Sequence, residues 1–295
     1  MSSKAITPPL PYYLNESIIR DLCQRAITED VGSGDATTLA IVPPDQTTTA
    51  FFIPRQECVV CGLPILQALF AELSADVDFE PYVHDGEKCG AGERLAMVTG
   101  NAQAILTGER TALNILQQLS GISTMTRKYV EALGNDTNTK LLDTRKTTPG
   151  LRLVEKYAVL MGGAQNHRIG LYDRVMIKDN HRALARLCGP NSIARAVQAC
   201  REKYPELEIE VEADSLADVR AAAEAGVEYI LLDNMPNQTM REAITIIAGR
   251  AKTEASGNIT LERLPSLRDL GLDYVSSGAL THSAPAVDIG LDILN

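Results

Sequence analysis

The residues best suited to chemistry are gathered between Asp143 and Arg186. The chain as a whole is acidic, with 28 Lys+Arg against 38 Asp+Glu and a formal net charge of −10. This stretch reverses that balance, because it holds four acidic residues and nine basic ones: Arg145, Lys146, Arg152, Lys156, Arg168, Arg174, Lys178, Arg182 and Arg186. Basic side chains concentrated in one region of an acidic protein attract a polyanion. We therefore expect a binding site for an anionic molecule here.

Within this cluster, the residue types of the segment Asp143-Thr-Arg-Lys-Thr-Thr-Pro-Gly indicate an anion site most clearly. Its Pro-Gly pair breaks a helix, and the preceding Leu-Leu-Asp is typical of a strand end. Thr and Gly in a loop present hydroxyl and backbone N–H groups to phosphate or carboxylate oxygens. Arg145 and Lys146 are therefore predicted to bind an anion. Arg182 and Arg186 fit the alternative, a solvated helix face with salt bridges, because they are four residues apart.

Length and composition exclude several classes of protein. No apolar run approaches the ~18 residues that a membrane span needs, and the start lacks the two regions of a signal peptide. We therefore expect a cytoplasmic protein with no membrane partner, whose six cysteines are reduced thiols. Cys58 and Cys61 have CxxC spacing but no second pair or nearby His, so a metal or redox role is disfavoured. The negative charge argues against a nucleic-acid partner.

The first part of the chain predicts an α+β unit. Helical spacing of apolar residues indicates helices over 15–30, 64–73 and 103–133, the last either continuous or broken near Gly121. Alternating stretches at 47–55, 77–83 and 94–100 indicate strands. Arg110 interrupts the apolar face of the long helix. It is either functional or an exposed residue paired with an acid such as Glu109.

From Lys140 onwards short apolar strands alternate with helical segments. The strands are predicted at 141–144, 175–180, 208–214, 229–234, 252–258 and 274–279. Such alternation indicates parallel βα units, which form either a TIM-like barrel or an open doubly wound sheet. In a barrel the carboxyl ends of the strands face the active site. These ends carry Asp143, Arg145, Lys146, Lys178, Glu212, Asp233, Ser256, Gly257, Ser277 and Gly278.

This set favours a substrate that is anionic at one end and phosphorylated at the other. The two Ser-Gly pairs, at 256–257 and 277–278, lie where such barrels bind phosphate. Glu212 and Asp233 are predicted to accept hydrogen bonds from ribose hydroxyls or to hold hydrated Mg²⁺. Ion pairs to a nearby Lys or Arg are the alternative for both carboxylates.

The two histidines of the basic stretch receive different predictions. His167, beside Arg168, is predicted to donate a hydrogen bond to an anion, with a capping or core histidine as the alternative. His181 is expected to be structural. The sequence has no P-loop, HExxH, GxGxxG or GxSxG motif, so a serine nucleophile is not supported.

Several blocks of the sequence resemble the quinolinate phosphoribosyltransferase family. They are LTGERTALNILQQLSGIST, DTRKTTPGLRLVEKYAVLMGGAQNHR, VMIKDNH, EVEADSL, AGVEYILLDNM, EASGNITLERL and SSGALTHSAPAVDIGLDI, in family order over most of 106–292. EDVGSGDATT near the start agrees too, so the resemblance is close to full length. It implies transfer of phosphoribosyl from phosphoribosyl pyrophosphate to quinolinate with decarboxylation, giving nicotinate mononucleotide, pyrophosphate and CO₂ in de novo NAD biosynthesis, with Mg²⁺.

The resemblance also implies a fold and an assembly. It predicts an α/β protein with an N-terminal α/β sandwich-like domain over 1–115, joined by the tail 283–295. An open, incomplete TIM-like α/β barrel over 116–282 would carry the active site. The protein would be at least a homodimer, with a hexamer left open.

Roles for single residues follow from the matching motifs. The resemblance implies that quinolinate's carboxylates are bound by Arg145, His167, Arg168 and Lys178. Lys146 would lie between that pocket and the pyrophosphate, and Arg110 would reach in from the partner subunit. Glu212 and Asp233 would serve the ribose and the metal, and Lys146, Glu212 and Asp233 form the predicted catalytic set. The 5′-phosphate would lie on Ser256, Gly257, Ser277 and Gly278, with Asn258 where some relatives carry a second Gly.

Two other functions stay open on the sequence. A paralogue could transfer phosphoribosyl to another ring, and a non-catalytic protein could use the barrel to sense an anionic metabolite. The complete set of cationic residues argues against the first, and the presence of Glu212 and Asp233 beside that set argues against the second.

Overall fold

The computed structural model describes residues 9–134, 136–187, 189 and 191–294. Its helices are α1 Glu16–Val31, α2 Ala36–Ile41, α3 Leu63–Leu73, α4 Ala102–Leu133, α5 Arg152–Met161, α6 Asp179–Leu184, α7 Ser192–Lys203, α8 Leu216–Glu224, α9 Asn237–Ile247, α10 Leu264–Leu267 and α11 Ala279–His282. Its strands are β1 Thr47–Pro54, β2 Cys58–Val59, β3 Val77–Pro81, β4 Lys88–Cys89, β5 Ala96–Asn101, β6 Lys140–Leu142, β7 Val175–Ile177, β8 Ile209–Ala213, β9 Tyr229–Asp233, β10 Lys252–Ser256, β11 Tyr274–Ser276 and β12 Ile289–Ile293.

The chain divides into two compact units. The first comprises Met1–Arg127, Leu153–Gly163 and Ala284–Asn295, and the second comprises Lys128–Arg152 and Ala164–Ser283. The sequence predicted a boundary at 115/116, whereas this division falls at 127/128, and both positions lie inside the continuous helix α4. The C-terminal segment Ala284–Asn295 groups with the first unit.

The first unit contains a four-stranded antiparallel sheet in the order β12-β1-β5-β3. Three aromatic rings cluster on this unit's core: Phe52 lies about 6 Å from both Phe70 of α3 and Phe79 of β3. Helix α1 begins where Asn15 accepts a hydrogen bond from the backbone N–H of Ile18, at 3.1 Å. These features match the strands and helices predicted for this part of the chain.

Helix α5 joins the first unit although it follows a strand of the second. Its Tyr157 hydroxyl donates to the Asp85 carboxylate at 2.8 Å, and the Ser123 hydroxyl of α4 donates to the Ala158 carbonyl at 2.9 Å. Both contacts are buried. This packing explains why Leu153–Gly163 does not belong to the barrel unit that the sequence assigned it to.

Gly121 does not interrupt α4, which is one helix of 32 residues. A Cβ added at Gly121 would lie 2.2 Å from the carbonyl oxygen of Pro285, so the glycine is needed for close approach of the C-terminal segment. Gly121, which suggested a break in the helix, is therefore explained by a packing contact instead.

The cysteines of the first unit are buried free thiols, as expected of reduced cysteines. Burial, reinforced by Glu57 and Glu93, raises the pKa of Cys58 to about 11. A thiol with so high a pKa is a poor nucleophile and metal ligand at neutral pH. Cys188 lies outside the described residues.

The second unit is built on six parallel strands in the order β6-β11-β10-β9-β8-β7. Strands β7 to β11 follow one another across the sheet, and β6 joins beyond β11. A doubly wound sheet would instead reverse its strand order at a switch point, so that alternative is excluded. In the described part of the chain β6 and β7 do not pair, which leaves the barrel open as the resemblance implied. The alternating α/β fold class is confirmed.

Alternation along the strands separates two faces of this sheet. In β8, Ile209, Val211 and Ala213 are buried and share one face of the sheet. The intervening positions carry Glu210 and Glu212, which point to the other face because successive side chains alternate. Because the six strands are parallel, the polar residues that follow each of them lie at one end of the sheet.

Candidate functional site

A cavity of about 880 Å³ lies at the carboxyl ends of the six parallel strands. All of the predicted site residues except Arg110 line it: Arg145, Lys146, His167, Arg168, Lys178, Glu212, Asp233, Ser256, Gly257, Ser277 and Gly278. The cavity lies wholly within the second unit. This position is the one that parallel-barrel architecture predicts for a ligand site.

Asp143 organises the loops on one side of the cavity. It follows β6, is fully buried, and its carboxylate accepts hydrogen bonds from the backbone N–H of His167 at 2.8 Å and from Asn166 Nδ2 at 2.7 Å. The loop after β6 is thus tied to the loop that precedes β7. Asp143, predicted as a strand-end residue, holds other site residues in place.

The loop that carries Arg145 and Lys146 is braced by Arg152, the first residue of α5. Arg152 Nε donates to Thr147 Oγ1 at 3.0 Å, and its Nη2 lies 3.5 Å from the Arg145 carbonyl oxygen. The Lys146 carbonyl accepts from the Thr281 hydroxyl at 2.8 Å. These bonds fix the backbone, while the two cationic side chains line the cavity.

Arg145 and Arg168 form a pair of positive charges that a bound anion would neutralise. Within the described residues, the buried Nε of Arg145 has no hydrogen-bond partner. Burial and, next, the charge of Arg145 lower the pKa of Arg168, whose Nη1 donates to the Arg174 carbonyl at 2.9 Å. Two neighbouring guanidinium groups repel each other, and a planar dicarboxylate could accept hydrogen bonds from both.

Both ring nitrogens of His167 have partners inside the protein. Nδ1 accepts from the backbone N–H of Arg168 at 2.6 Å, and Nε2 lies 3.1 Å from a Glu210 oxygen and 3.4 Å from a Glu254 oxygen. The ring is buried, which fits the alternative prediction of a core histidine. It also lines the cavity. Direct donation from His167 to an anion stays a prediction.

Lys178 and Glu212 form an ion pair at the carboxyl ends of β7 and β8. This was the alternative expected for Glu212, and it leaves the more exposed Lys178 ammonium partly available to a ligand. The backbone N–H of Lys178 donates to His181 Nδ1 at 3.0 Å, so His181 caps α6. His181 is therefore structural, as predicted.

Glu212 and Asp233 belong to a group of three carboxylates with Asp214. One oxygen of each lies within 4.8 Å of the others. Partial desolvation and the charges of nearby acids, first Asp233, raise the pKa of Asp214. An all-oxygen set of crowded carboxylates fits a hard cation such as Mg²⁺. Asp214 was not singled out from the sequence.

The loops after β9 and β10 meet through Asn234, whose Nδ2 donates to Asp233 at 2.9 Å and whose Oδ1 accepts from Asn258 Nδ2 at 3.1 Å. Gly257 has φ +89°, and an added Cβ would lie 2.1 Å from Asn234 Oδ1. Asn258 has φ 51°, a left-handed conformation that favours Gly and that Asn tolerates best among other residues.

Gly278 makes room for the side chain of Lys146. A Cβ at Gly278 would lie 2.7 Å from Lys146 Cδ and 3.1 Å from His282 Cδ2. Ser277 is buried and its hydroxyl donates to the Ile259 carbonyl at 3.2 Å. Gly278 therefore leaves space for Lys146, and both Ser277 and Gly278 line the cavity.

Arg110 lies exposed on α4 in the first unit and is not among the residues that line the cavity. No ion pair of Arg110 is found in the described part of the chain, so the expected pairing with Glu109 is not observed. Whether it enters a neighbouring subunit stays a prediction.

Glu210 and Glu254 are fully buried charged residues near the cavity, and neither was predicted from the sequence. Each lies two residues before a strand-end residue that was predicted, Glu212 and Ser256. Residues two apart in a strand share a face. The signal was therefore the alternating acidic positions in EIEVEAD and the Glu of KTEAS.

No helix among the described residues has the length and apolar character needed to cross a membrane.

Known proteins resemble this chain over nearly its whole length. The family model described as quinolinate phosphoribosyl transferase, N-terminal domain, matches residues 35–120, and the C-terminal domain model matches residues 122–292. The probable nicotinate-nucleotide pyrophosphorylase (carboxylating) of Bacillus subtilis is 42% identical over 281 residues, covering 95% of each chain. Quinolinate phosphoribosyltransferase (decarboxylating) 2a, mitochondrial, of Nicotiana tabacum is 39% identical, over 93% of this chain and 82% of the relative.

Solved structures agree with the sequence relatives. The crystal structure of NadC from Streptococcus pyogenes superposes with a TM-score of 0.89 at 43% identity, covering 96% of this chain and 99% of that one. The strand order, the cavity and both domain matches thus lead to one conclusion. The chain belongs to the quinolinate phosphoribosyl transferase family.

Proposed function

We propose that this protein transfers phosphoribosyl from phosphoribosyl pyrophosphate to quinolinate and removes CO₂, giving nicotinate mononucleotide and pyrophosphate for NAD biosynthesis. The observation that carries the proposal is a single cavity in which Arg145, Lys146 and Arg168 share the lining with Glu212 and Asp233. A dianionic ring and a polyphosphorylated sugar need cations and hydroxyl-binding carboxylates side by side.

Quinolinate is expected to lie against the Arg145 and Arg168 guanidinium groups. The buried Nε of Arg145, without a partner in the described residues, and the lowered pKa of Arg168 support this assignment, because a carboxylate would relieve both conditions. Lys178 supplies a third positive charge beside its partner Glu212. Partial burial of Arg145 and Arg168 strengthens their attraction for the substrate.

Phosphoribosyl pyrophosphate is expected to extend from the three carboxylates to the Gly-containing loops. Glu212 and Asp233, with Asp214, would accept hydrogen bonds from ribose hydroxyls or hold Mg²⁺. When bound, Mg²⁺ would neutralise negative charge on the pyrophosphate leaving group. The 5′-phosphate would lie over the loops at Gly257 and Gly278, where the backbone can approach closely because no Cβ intervenes.

The chemistry would depend on positioning and charge. Departure of pyrophosphate from the anomeric carbon gives that carbon oxocarbenium character while the pyridine nitrogen attacks it. Lys146 would offset charge on the departing oxygens, with no covalent bond to the protein. Glycosylation leaves the ring nitrogen positive, and this charge stabilises the electron pair that remains at C2 when the carboxylate leaves as CO₂. A proton taken up from water at C2 then completes nicotinate mononucleotide.

We further propose that the protein is a homodimer in which Arg110 enters the cavity of the partner subunit. Its exposure on α4 and its absence from the lining of the cavity support a role across an interface. The cytoplasmic location expected from the sequence stays a prediction, since the Nicotiana tabacum relative is named mitochondrial.

The decisive experiment uses quinolinate labelled at the C2 carboxylate, incubated with phosphoribosyl pyrophosphate with and without Mg²⁺. We expect labelled CO₂, pyrophosphate and nicotinate mononucleotide in equal amounts, and none of them after chelation of Mg²⁺. Pyrophosphate release without labelled CO₂ would indicate a paralogue that uses another ring. Tight binding with no release of either product would indicate a sensor.

Replacing Gly257 by Ala is expected to raise the KM for phosphoribosyl pyrophosphate by about tenfold and to destabilise the fold by about 1–3 kcal/mol. The new Cβ must displace Asn234, which contacts Asp233 and Asn258. Steady-state kinetics and thermal unfolding measure the two effects.

Gly249→Ala is the matched control, because Gly249 also has a positive φ (75°) but nothing lies within 4 Å of the added Cβ. It should show the cost of backbone strain with an unchanged KM. Equal KM values for the Gly257→Ala protein and the wild type would remove this loop from the phosphate site.

A further inference from the structure

Arg263 joins two loops on the side of the cavity assigned to the 5′-phosphate. Its Nη1 donates to the Gly257 carbonyl at 2.7 Å, and its Nη2 donates to the Met235 carbonyl at 2.9 Å. Gly257 directly follows β10 and Met235 lies two residues after β9, and these two strands are neighbours in the sheet. One guanidinium group, with its planar fork of donors, therefore fastens the loops of two neighbouring strands to each other.

Arg263 supports these loops from behind, because it is not among the residues that line the cavity, whereas Gly257 and Asn258 are. It directly precedes α10, whose Leu264 and Leu267 are fully buried. In the described part of the chain, the hydrogen bonds found for its guanidinium all go to backbone carbonyls, the third being a long one to Asn258 at 3.5 Å. Arg263 is thus anchored in the second unit and acts on the backbone of loops that line the cavity.

The loops that Arg263 joins have an unfavourable backbone conformation. Asn234 has φ 53° and Asn258 has φ 51°, both in the left-handed region that residues other than Gly rarely occupy, and Gly257 has φ +89°. Such conformations persist where the surrounding structure holds them. The carbonyl groups that Arg263 binds belong to Gly257 and to Met235, the residue after Asn234. The guanidinium group is therefore placed to hold both loops in this conformation.

The bond to Gly257 also sets the direction of a backbone donor. In a trans peptide the carbonyl of one residue and the N–H of the next point in opposite directions, and no cis peptide is found among the described residues. Because the Gly257 carbonyl faces Arg263, the N–H of Asn258 points away from Arg263, toward the cavity side of the loop. The long bond to the Asn258 carbonyl directs the Ile259 N–H in the same way.

The backbone N–H groups of Asn258 and Ile259 are suited to binding an anion. Both residues line the cavity, and no backbone carbonyl in the described ranges accepts a hydrogen bond from either N–H. A carbonyl that accepts from a cation polarises its amide, which makes the N–H of the same peptide a stronger donor. Successive N–H groups directed to one side of a loop form a concave site of the kind that binds phosphate.

We propose that Arg263 is a positioning residue that holds the N–H groups of Asn258 and Ile259 toward the cavity, where they bind the 5′-phosphate of the sugar. This inference rests on the proposed function, which assigns that phosphate to the loop at Gly257. Arg263 does not touch the phosphate, since it acts through the backbone of the loop. It therefore strengthens the binding only of ligands that carry the phosphate.

The test compares two ligands of the full-length protein, nicotinate mononucleotide and nicotinate riboside, which lacks only the 5′-phosphate. The phosphate preference is the Kd of the riboside divided by the Kd of the mononucleotide, both from calorimetric titration. We expect Arg263→Met to lower this preference about tenfold, while the Kd of the riboside changes by less than about twofold. A general loss of stability would weaken both ligands alike, and an unchanged preference would overturn the proposal.

Arg250→Met is the matched control. Arg250 also donates to two backbone carbonyls, from Nε to Ile247 at 3.1 Å and from Nη2 to Ile246, but it precedes β10 and so lies at the opposite end of that strand from the cavity. Its replacement should leave the phosphate preference at the wild-type value. A fall as large as that of Arg263→Met would show a general loosening of the second unit and would contradict the specific role of Arg263.

Arg263→Lys is a second variant, in case Arg263→Met does not fold. Lys keeps the positive charge but lacks the planar fork that reaches the carbonyls of Gly257 and Met235 together. We expect the phosphate preference to fall at least about fivefold, and a wild-type preference would show that charge alone suffices, against a positioning role. A wild type that binds the mononucleotide no more tightly than the riboside would also overturn this inference, while labelled CO₂ from quinolinate would still support the proposed function. Absence of labelled CO₂ as well would contradict both.

Discussion

Replacing Lys146 by Ala is expected to lower kcat by about 100- to 1,000-fold, while the KM for quinolinate changes by less than about threefold. The reason is position. The Lys146 side chain passes Gly278, on the side of the cavity assigned to the phosphates, whereas Arg145 and Arg168 are assigned to the dicarboxylate. A charge that acts on the departing pyrophosphate affects turnover more than it affects binding of the other substrate.

Steady-state kinetics with both substrates measures this split between kcat and KM. Lys140→Ala is a suitable control, because Lys140 is exposed and lies at the first residue of β6, at the opposite end of the strand from the cavity. It should leave both constants unchanged. A Lys146→Ala protein with wild-type turnover would exclude Lys146 from the reaction.

Replacing Arg110 by Ala is expected to lower kcat/KM by at least about 100-fold, as for other charged groups that bind an anionic substrate directly. Mixing this protein with Lys178→Ala should restore activity. If subunits exchange freely, half of the dimers are mixed, and each mixed dimer has one cavity with both native residues. About a quarter of wild-type activity should therefore return.

The control for this experiment is a mixture of Lys178→Ala with Lys146→Ala. Both residues line the cavity of one subunit, so no mixed dimer can contain an intact site and no activity should return. Exchange of subunits is verified by mass spectrometry of differently tagged proteins. Failure of the Arg110→Ala mixture to recover in verified mixed dimers would contradict a shared site.

The sequence predicted the barrel strands well because their polar ends follow short apolar runs. The five strands β7 to β11 each end within a few residues of the predicted position. Helix α5 was not predicted from the sequence. Its fully buried Glu155 and Lys156 disturb the apolar pattern, and its membership of the first unit depends on contacts with Ser123 and Asp85 that no local pattern reveals.

The site residues at the ends of strands could be predicted from the sequence. The site residues that are buried beneath them could not. Glu212 was noticed because it ends a strand. Glu210 was not, although it shares the same face, because a pattern of alternation does not reveal which acidic residues are buried. The pairing of Lys178 with Glu212, and of His167 with the two buried glutamates, depends on side-chain directions that only three-dimensional structure supplies.

The sheet orders of both units have a consequence for synthesis on the ribosome. In the first unit β1 pairs with β12, as at Ala50 and Ile293, and in the second unit β6 pairs with β11, as at Leu141 and Val275. Each early strand must therefore wait for a partner that is translated much later. Until then the apolar edge of β1, with Phe51 and Phe52, stays exposed, and an exposed strand edge invites aggregation. We therefore expect the nascent chain to be most prone to aggregation in the interval between the synthesis of β1 and that of β12.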